Sequence, residues 1–102
     1  MNALESQVAV VTGAGRGAGE AIAYRLAAMG VHVLLVARSA NQLNLVRERI
    51  LQAGGIATVV ACDLTNASSV AELGNVVTET HKRCDILVNN ALLAWMESFC
   101  MK

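Results

Sequence analysis

The stretch VAVVTGAGRGAG, residues 8–19, decides the fold, because an apolar run is followed directly by four glycines within seven residues. Consecutive β-branched and apolar residues are typical of a parallel strand that is covered on both faces. Glycines directly after such a strand allow a tight turn into a helix, with little side chain along the backbone. The stretch therefore predicts a strand, a glycine-rich turn and the start of a helix.

Three further apolar runs follow at residues 33–36, 56–61 and 86–88, and segments with helical periodicity lie between the runs. The predicted apolar stripes of the three helices are Ile22, Leu26 and Met29; Leu43, Val46 and Ile50; and Val70, Leu73 and Val77. Ser39, with Gln42 three residues later, forms a capping-box pattern before the second helix. The order βαβαβαβ predicts an α/β fold, a Rossmann-type doubly wound parallel sheet that is truncated after its fourth strand.

The composition argues against several classes of partner. Eight basic residues balance eight acidic ones, and a single Trp, Tyr and Phe offer no stacking platform, so we expect no nucleic-acid partner. No apolar run approaches the ~18 residues of a membrane span, so we expect no membrane partner either. Three cysteines without a C-x-x-C pattern predict reduced thiols and a cytoplasmic location. Neither histidine has partners at metal-ligand spacing, so we expect no metal site.

The glycine turn has the context that a nucleotide-binding turn requires, with a strand before it and a helix after it. Gly13 permits a tight turn, and Gly15 or Gly17 lets the main chain approach a pyrophosphate at the helix N-terminus. Gly19 or Ala18 then allows the helix to pack closely on the strand. The alternative is a flexible turn without a ligand. We favour a nucleotide site because the whole βαβ context is present.

The end of the second predicted strand indicates which nucleotide is bound. NAD-binding sheets carry an acidic residue about 20 residues after the glycines, where it accepts the ribose 2′-hydroxyl. Here no acidic residue occurs between Glu20 and Glu48, and Arg38 follows the strand instead. Arg38 and Arg16 both suit a 2′-phosphate, so we expect NADP rather than NAD. The alternative is that both arginines are solvated surface residues.

Three motifs together resemble the N-terminal half of the short-chain dehydrogenase/reductase family, particularly members similar to 3-oxoacyl-acyl-carrier-protein reductase. The family pattern T-G-x-x-x-G-x-G matches residues 12–19, its acidic residue after the third strand matches Asp63, and its N-N-A-G matches residues 89–91 in part. Leu92 stands where that last motif has glycine, and Ala18 is smaller than the usual aliphatic residue. The resemblance implies cofactor binding by Gly13, Ala14, Gly15, Arg16, Gly17, Ala18, Gly19, Arg38, Ser39, Asp63, Leu64, Asn90 and Ala91.

The resemblance also implies a catalytic serine, tyrosine and lysine, with the lysine four residues after the tyrosine. The single tyrosine, Tyr24, is followed four residues later by Ala28, so no catalytic residue can be assigned. We therefore expect a nucleotide-binding half-domain over residues 1–91 and a divergent tail over residues 92–102. The expected function is an NADP(H)-dependent oxidoreductase for carbonyl and alcohol interconversion, present as an incomplete chain. The alternative is a truncated, non-catalytic module that binds the nicotinamide dinucleotide, or a partner through its exposed fourth-strand edge.

Overall fold

The computed structural model of the protein describes residues 7–15, 17–63, 66–81 and 84–88. These residues form the strands β1 (Val8–Thr12), β2 (His32–Ala37), β3 (Ile56–Ala61) and β4 (Ile86–Val88), and the helices α1 (Gly17–Ala28), α2 (Ala40–Gln52) and α3 (Ala67–Asn75). A π-helical turn, Val76–His81, continues α3. The expected alternation of strands and helices is confirmed, with strand boundaries within one residue of the predicted runs.

The strands form one parallel sheet in the order β3-β2-β1-β4. The chain therefore moves outward from β1 through β2 to β3, and then returns to the other side of β1 to form β4. Because the strands are parallel, all of their carboxyl ends lie at the same edge of the sheet. The predicted Rossmann-type α/β architecture is confirmed, and the order of the strands reverses between β1 and β4.

Apolar side chains cover both faces of the sheet, as the continuous hydrophobicity of the strands predicts. The face under α1 and α2 contains the buried residues Ala9, Val11, Ala14, Ala23, Ala27, Val31, Val33, Leu35, Leu43, Val46, Ile50 and Ala57. The face under α3 contains Val8, Val10, Leu34, Val36, Cys62, Val70, Leu73 and Val77. Successive residues of β1 alternate between the two faces, so each strand contributes to two cores.

The second and third helices bury the stripes that their sequences predict. In α2 the buried residues are Leu43, Val46 and Ile50, and Ser39 is the N-cap, accepting a hydrogen bond from the Gln42 N–H at 3.4 Å. The stripe of α3 is also buried, although its last member, Val77, lies in the π-helical turn. The side-chain oxygen of Asn66 caps α3 by accepting from the N–H groups of Ser68 and Ser69, a cap that the sequence reading did not include.

The prediction for α1 holds for Leu26, which is half-buried and packs against the core, and is wrong for the other two residues of the stripe. Ile22 and Met29 are each 36% exposed, whereas the buried residues of α1 are Gly19, Ala23 and Ala27. Small residues let a helix axis approach the sheet more closely than leucine or isoleucine would. The spacing of large apolar residues therefore identifies the buried face only in part, because most of the contact is made by residues with almost no side chain.

The cysteine prediction agrees with the structure at one described residue. Cys62 is a free, buried thiol, in keeping with the expected reduced thiols. Within the described part of the chain, no helix is both long and apolar enough to cross a membrane.

Candidate nucleotide site

The candidate site lies at the carboxyl edge of the sheet. The register pairs Thr12 with Val36 and Ala37 with Ala61, so the segments that follow β1, β2 and β3 emerge side by side. In an open parallel sheet, ligands bind outside the carboxyl ends of the strands where the strand order reverses. The strand order reverses between β1 and β4, so this rule places a ligand next to the turn after β1.

The turn after β1, residues 13–19 (the glycine loop), depends on left-handed backbone geometry. Gly13 has φ +64° and Gly17 has φ +62°, a region in which residues with side chains are strained. A Cβ on Gly17 would meet no atom within 4 Å among the described residues, so backbone geometry, not crowding, explains glycine there. Gly17 is also the first residue of α1, so the loop leads directly into the helix N-terminus.

The other two glycines of the loop lie in close contacts, with backbone atoms at Gly19 and with a side chain at Gly15. A Cβ on Gly19 would collide with the carbonyl oxygen of Gly13, so the first turn of α1 is packed directly on the turn after β1. A Cβ on Gly15 would lie 3.0 Å from Oε1 and 3.1 Å from Cβ of Gln42, which is in the first turn of α2. The glycine loop is therefore packed between the start of α1 and the start of α2.

Ala14 is tied into the protein rather than presented at the surface. Its N–H donates to the carbonyl oxygen of Val36 at 3.2 Å, and its side chain is fully buried. This bond links the glycine loop to the end of β2, and Thr12 Oγ1 links β1 to β4 by donating to the carbonyl oxygen of Val88 at 3.3 Å. The first contact fixes the loop relative to β2, and the second joins β1 to β4 at the residue directly before the loop.

Arg38 and Ser39 follow β2 at the same edge of the sheet. Both are exposed, and Ser39 is the N-cap of α2. Among the described residues, Arg38 has no ion-pair partner, and no carboxylate lies in the first turn of α2. A guanidinium next to a helix N-terminus is an environment that favours an anion.

Asp63 follows β3 and is half-buried, and its carbonyl oxygen accepts from the N–H of Asn66. Its neighbour Cys62 is buried and donates to the carbonyl oxygen of Ser69 at 3.3 Å. Burial raises the pKa of the Cys62 thiol, and the carboxylates of Asp63 and Glu72 raise it further. The thiol therefore stays protonated at neutral pH, which makes it a poor nucleophile.

The structure brings together the candidate residues at the ends of three strands, namely Gly13, Ala14, Gly15, Gly17, Ala18, Gly19, Arg38, Ser39 and Asp63. Arg16, Leu64, Asn90 and Ala91 lie outside the described residues. Sequence reasoning did not include Gln42 at the site. The capping box located Gln42 in the first turn of α2, but its contact with Gly15 depends on how the two loops are packed.

Tyr24 is half-buried on α1 and packs against the core on that face of the sheet. Its hydroxyl donates to Glu20 Oε2 at 2.7 Å, and Arg49 of α2 contacts the same carboxylate at 3.3 Å. Burial raises the pKa of the Tyr24 phenol, and the hydrogen bond to Glu20 raises it further. Since a tyrosine that exchanges protons near neutral pH needs a lowered pKa, this environment suits a link between α1 and α2 and not acid–base catalysis.

Comparisons with known proteins agree with this geometry. A model of the family described as short chain dehydrogenase matches residues 7–101. A 3-oxoacyl-[acyl-carrier-protein] reductase from Synechocystis is 42% identical over 92 residues, which are 89% of this chain and 37% of that protein. The match to the family model extends beyond residue 91. The expected division of the chain into a half-domain and a tail at that residue stays a prediction.

Solved structures show the same arrangement. A metagenomic short-chain oxidoreductase in complex with NADP is 47% identical with a TM-score of 0.83, and the match covers 87% of this chain and 40% of that one. A xylitol dehydrogenase bound to NAD+ is 30% identical with a TM-score of 0.82, over 87% of this chain and 34% of that one. The chain spans between 30% and 38% of the length of the curated relatives that it matches.

Proposed function

This chain belongs to the short-chain dehydrogenase family, and from that premise we propose that it is the NADP(H)-binding part of an oxidoreductase. The proposed reaction interconverts a carbonyl and an alcohol. Because the chain spans about a third of the length of its curated relatives, this chemistry is proposed for the longer protein that those relatives represent. The observation that carries the proposal is the glycine loop, held between β1 and α1 at the reversal of strand order.

The residues of the loop fit a dinucleotide. The first N–H groups of a helix have no intrahelical partners, and the helix dipole favours an anion near them. Residue 16, which precedes α1, is an arginine and not one of the residues that usually cap a helix. Gly17 is open to its surroundings, and Gly19 allows α1 to begin next to the turn. We infer that the backbone of the loop and the start of α1 hold the pyrophosphate.

The choice of NADP rests on charge. Arg38, with Arg16 in the loop, would hold the 2′-phosphate, and Ser39 would add a hydroxyl donor. Asp63 would accept from the adenine amino group, next to Leu64. An NADP complex of a protein 47% identical to this one supports the proposal, although a relative 30% identical binds NAD+. Asn90 and Ala91 are proposed to lie near the ribose on the nicotinamide side.

The bound nicotinamide would supply or accept the hydride in the longer protein. This chain's residues would bind and orient the cofactor at the carboxyl edge. Within these 102 residues no tyrosine is followed four residues later by lysine, so we propose that the chain by itself binds the dinucleotide without reducing a carbonyl efficiently.

Cofactor binding is tested by a thermal melt of the chain alone, with NADPH and with NADH. A ligand that binds only the folded state stabilises it by about 2.7 kcal/mol when its concentration is a hundred times its Kd. We expect a cooperative transition whose midpoint rises more with NADPH than with NADH. A cooperative melt that neither nucleotide shifts would contradict the proposal.

Replacing Arg38 tests the choice of cofactor. Losing a charge-assisted hydrogen bond costs about 1.5–3 kcal/mol, so Arg38→Asp is expected to raise the Kd for NADPH by roughly 10- to 100-fold and to affect NADH much less. Arg25→Asp is the control, because Arg25 is also exposed but lies on α1 away from the strand ends. If Arg38→Asp lowers the affinity for NADPH and for NADH equally, the result would argue against a contact between Arg38 and the 2′-phosphate.

A non-catalytic binding module is the second candidate function. It is favoured by Tyr24, the single tyrosine, whose hydroxyl is engaged by Glu20 and whose pKa is raised by burial. Such a module would hold the cofactor, or pair with a partner or a second copy through β4. Mixing the chain with an intact family member tests this idea. The absence of both co-elution and any change in that enzyme's activity would count against it.

We retain a cytoplasmic location as part of the proposal. It is supported by the free thiol of Cys62. Fractionation of cells that express the chain tests the location. Recovery from an oxidising compartment would reject the cytoplasmic location.

A further inference from the structure

We propose that Gln42 is a positioning and specificity residue of the nucleotide site, and that its neutral amide favours NADP(H) over NAD(H). This inference rests on the proposed function. It comes from the contact between the glycine loop and α2. Oε1 and Cβ of Gln42 lie 3.0 and 3.1 Å from the position that a Cβ on Gly15 would occupy, so Gln42 fills the space beside the loop.

The position of Gln42 connects two parts of the proposed site. Its backbone N–H donates to the hydroxyl of Ser39, the residue directly after Arg38, while its side chain packs on Gly15. The same residue is thus fixed to the segment after β2 and to the segment after β1. A change of charge at this position would act on both segments with little change of shape.

A negative charge at residue 42 would affect helix stability and nucleotide binding in opposite directions. No acidic residue lies in the first turn of α2, although a carboxylate there would stabilise the helix through its dipole. Helix stability alone therefore favours glutamate over glutamine at position 42. A neutral residue is what a site for a doubly charged phosphate requires, because a carboxylate beside it would repel the ligand.

The test is Gln42→Glu, which preserves the size of the side chain and its packing on Gly15. We expect the variant to melt at the same or a slightly higher temperature than the original chain, because the added carboxylate lies at the positive end of the helix dipole. Its Kd for NADPH is expected to rise about threefold or more, with a smaller change for NADH, and added salt should reduce the difference. A purely structural residue would change affinity only together with the melting temperature.

Two further variants complete the experiment. Gln52→Glu makes the same chemical change at the other end of α2, where the side chain is also exposed, and should leave the ratio of the two affinities unchanged. Gln42→Ala removes the packing on Gly15 without adding charge, and should raise the Kd for NADPH and for NADH by a similar factor.

The outcomes separate this inference from the proposed function. If the original chain binds NADPH and Gln42→Glu leaves the ratio of NADPH to NADH affinity unchanged, the inference is overturned and the proposed function stands. If the folded original chain binds neither nucleotide, both are overturned. If the ratio falls in Gln42→Glu but equally in Gln52→Glu, the effect is one of net charge, and the inference is likewise overturned.

Discussion

Helices α1 and α2 lie on the same face of the sheet but are held there in different ways. In α2 the contact is made by Leu43, Val46 and Ile50, whereas in α1 it is made by Gly19, Ala23 and Ala27. Their N-termini differ as well, since Ser39 caps α2 and an arginine precedes α1. The difference shows that α2 supplies most of the apolar packing on this face, and that α1 is placed for close approach to the turn after β1.

This division explains why α1 buries so little side chain. The first turn of α1 is in contact with the Gly13 carbonyl, and any side chain at position 19 would displace it. A helix held by large side chains would lie farther from the sheet, and its N-terminal N–H groups would lie farther from the strand ends. Helix α1 therefore buries less apolar side chain than α2, and its N-terminus lies next to the turn after β1.

The largest expected effect comes from removing packing in α2. Leu43 is fully buried, so Leu43→Ala should lower the free energy of unfolding by about 2–5 kcal/mol, through lost burial and the cavity that remains. Urea unfolding measures the change. Leu45→Ala is the matched control, because Leu45 lies on the same helix but is 59% exposed, and it should change stability by about 0.5 kcal/mol or less. Similar losses in the two variants would contradict the assignment of the buried face.

A smaller loss of stability, with a specific loss of binding, is expected from Gly19→Ala. Alanine normally stabilises a helix relative to glycine by about 1 kcal/mol. Here the added Cβ collides with backbone atoms of Gly13, so we expect a net destabilisation of about 1–3 kcal/mol. NADPH and NADH should be affected alike, because the helix N-terminus moves away from the proposed pyrophosphate position.

The measurements for Gly19→Ala are a urea melt and a titration with each nucleotide. A variant that is as stable as the original chain and binds with unchanged affinity would show that α1 does not require close packing at this position. A loss of affinity for NADPH but not for NADH would instead indicate that residue 19 acts on the 2′-phosphate. That result would contradict the proposal that the N-terminus of α1 holds the pyrophosphate.

The strands and two of the three helices could be predicted from sequence because their signals are large apolar side chains at regular spacing. The runs at β1 and β3 and the stripe Leu43, Val46, Ile50 are examples. In the stripe Ile22, Leu26, Met29 only Leu26 packs against the core, since periodicity counts large residues and α1 is packed mainly by small ones. When a helix packs closely on a sheet, glycine and alanine are the only residues in the sequence that indicate the buried face.

The candidate site was predictable in its order along the chain and less so in its contacts. The glycine motif and Arg38 were located because motif spacing and charge are visible in sequence. The bond from the Ala14 N–H to Val36 and the packing of Gln42 on Gly15 were not, because each joins segments that become neighbours only through the parallel register. Spatial adjacency between loops has no local sequence signal.

The smallest expected effect is at Ile22, the residue that sequence periodicity assigns to the core. With more than a third of its surface exposed, Ile22→Gln should change the free energy of unfolding by about 0.5 kcal/mol or less, as surface substitutions usually do. Ala23→Gln, one position along the same helix, is the contrasting variant, because Ala23 is fully buried and a longer polar side chain cannot be accommodated there. Urea unfolding of the two variants separates the two faces of α1. A loss above 2 kcal/mol for Ile22→Gln, with little change for Ala23→Gln, would mean that α1 is rotated relative to the structure and that its contact with Gly13 is not maintained in solution.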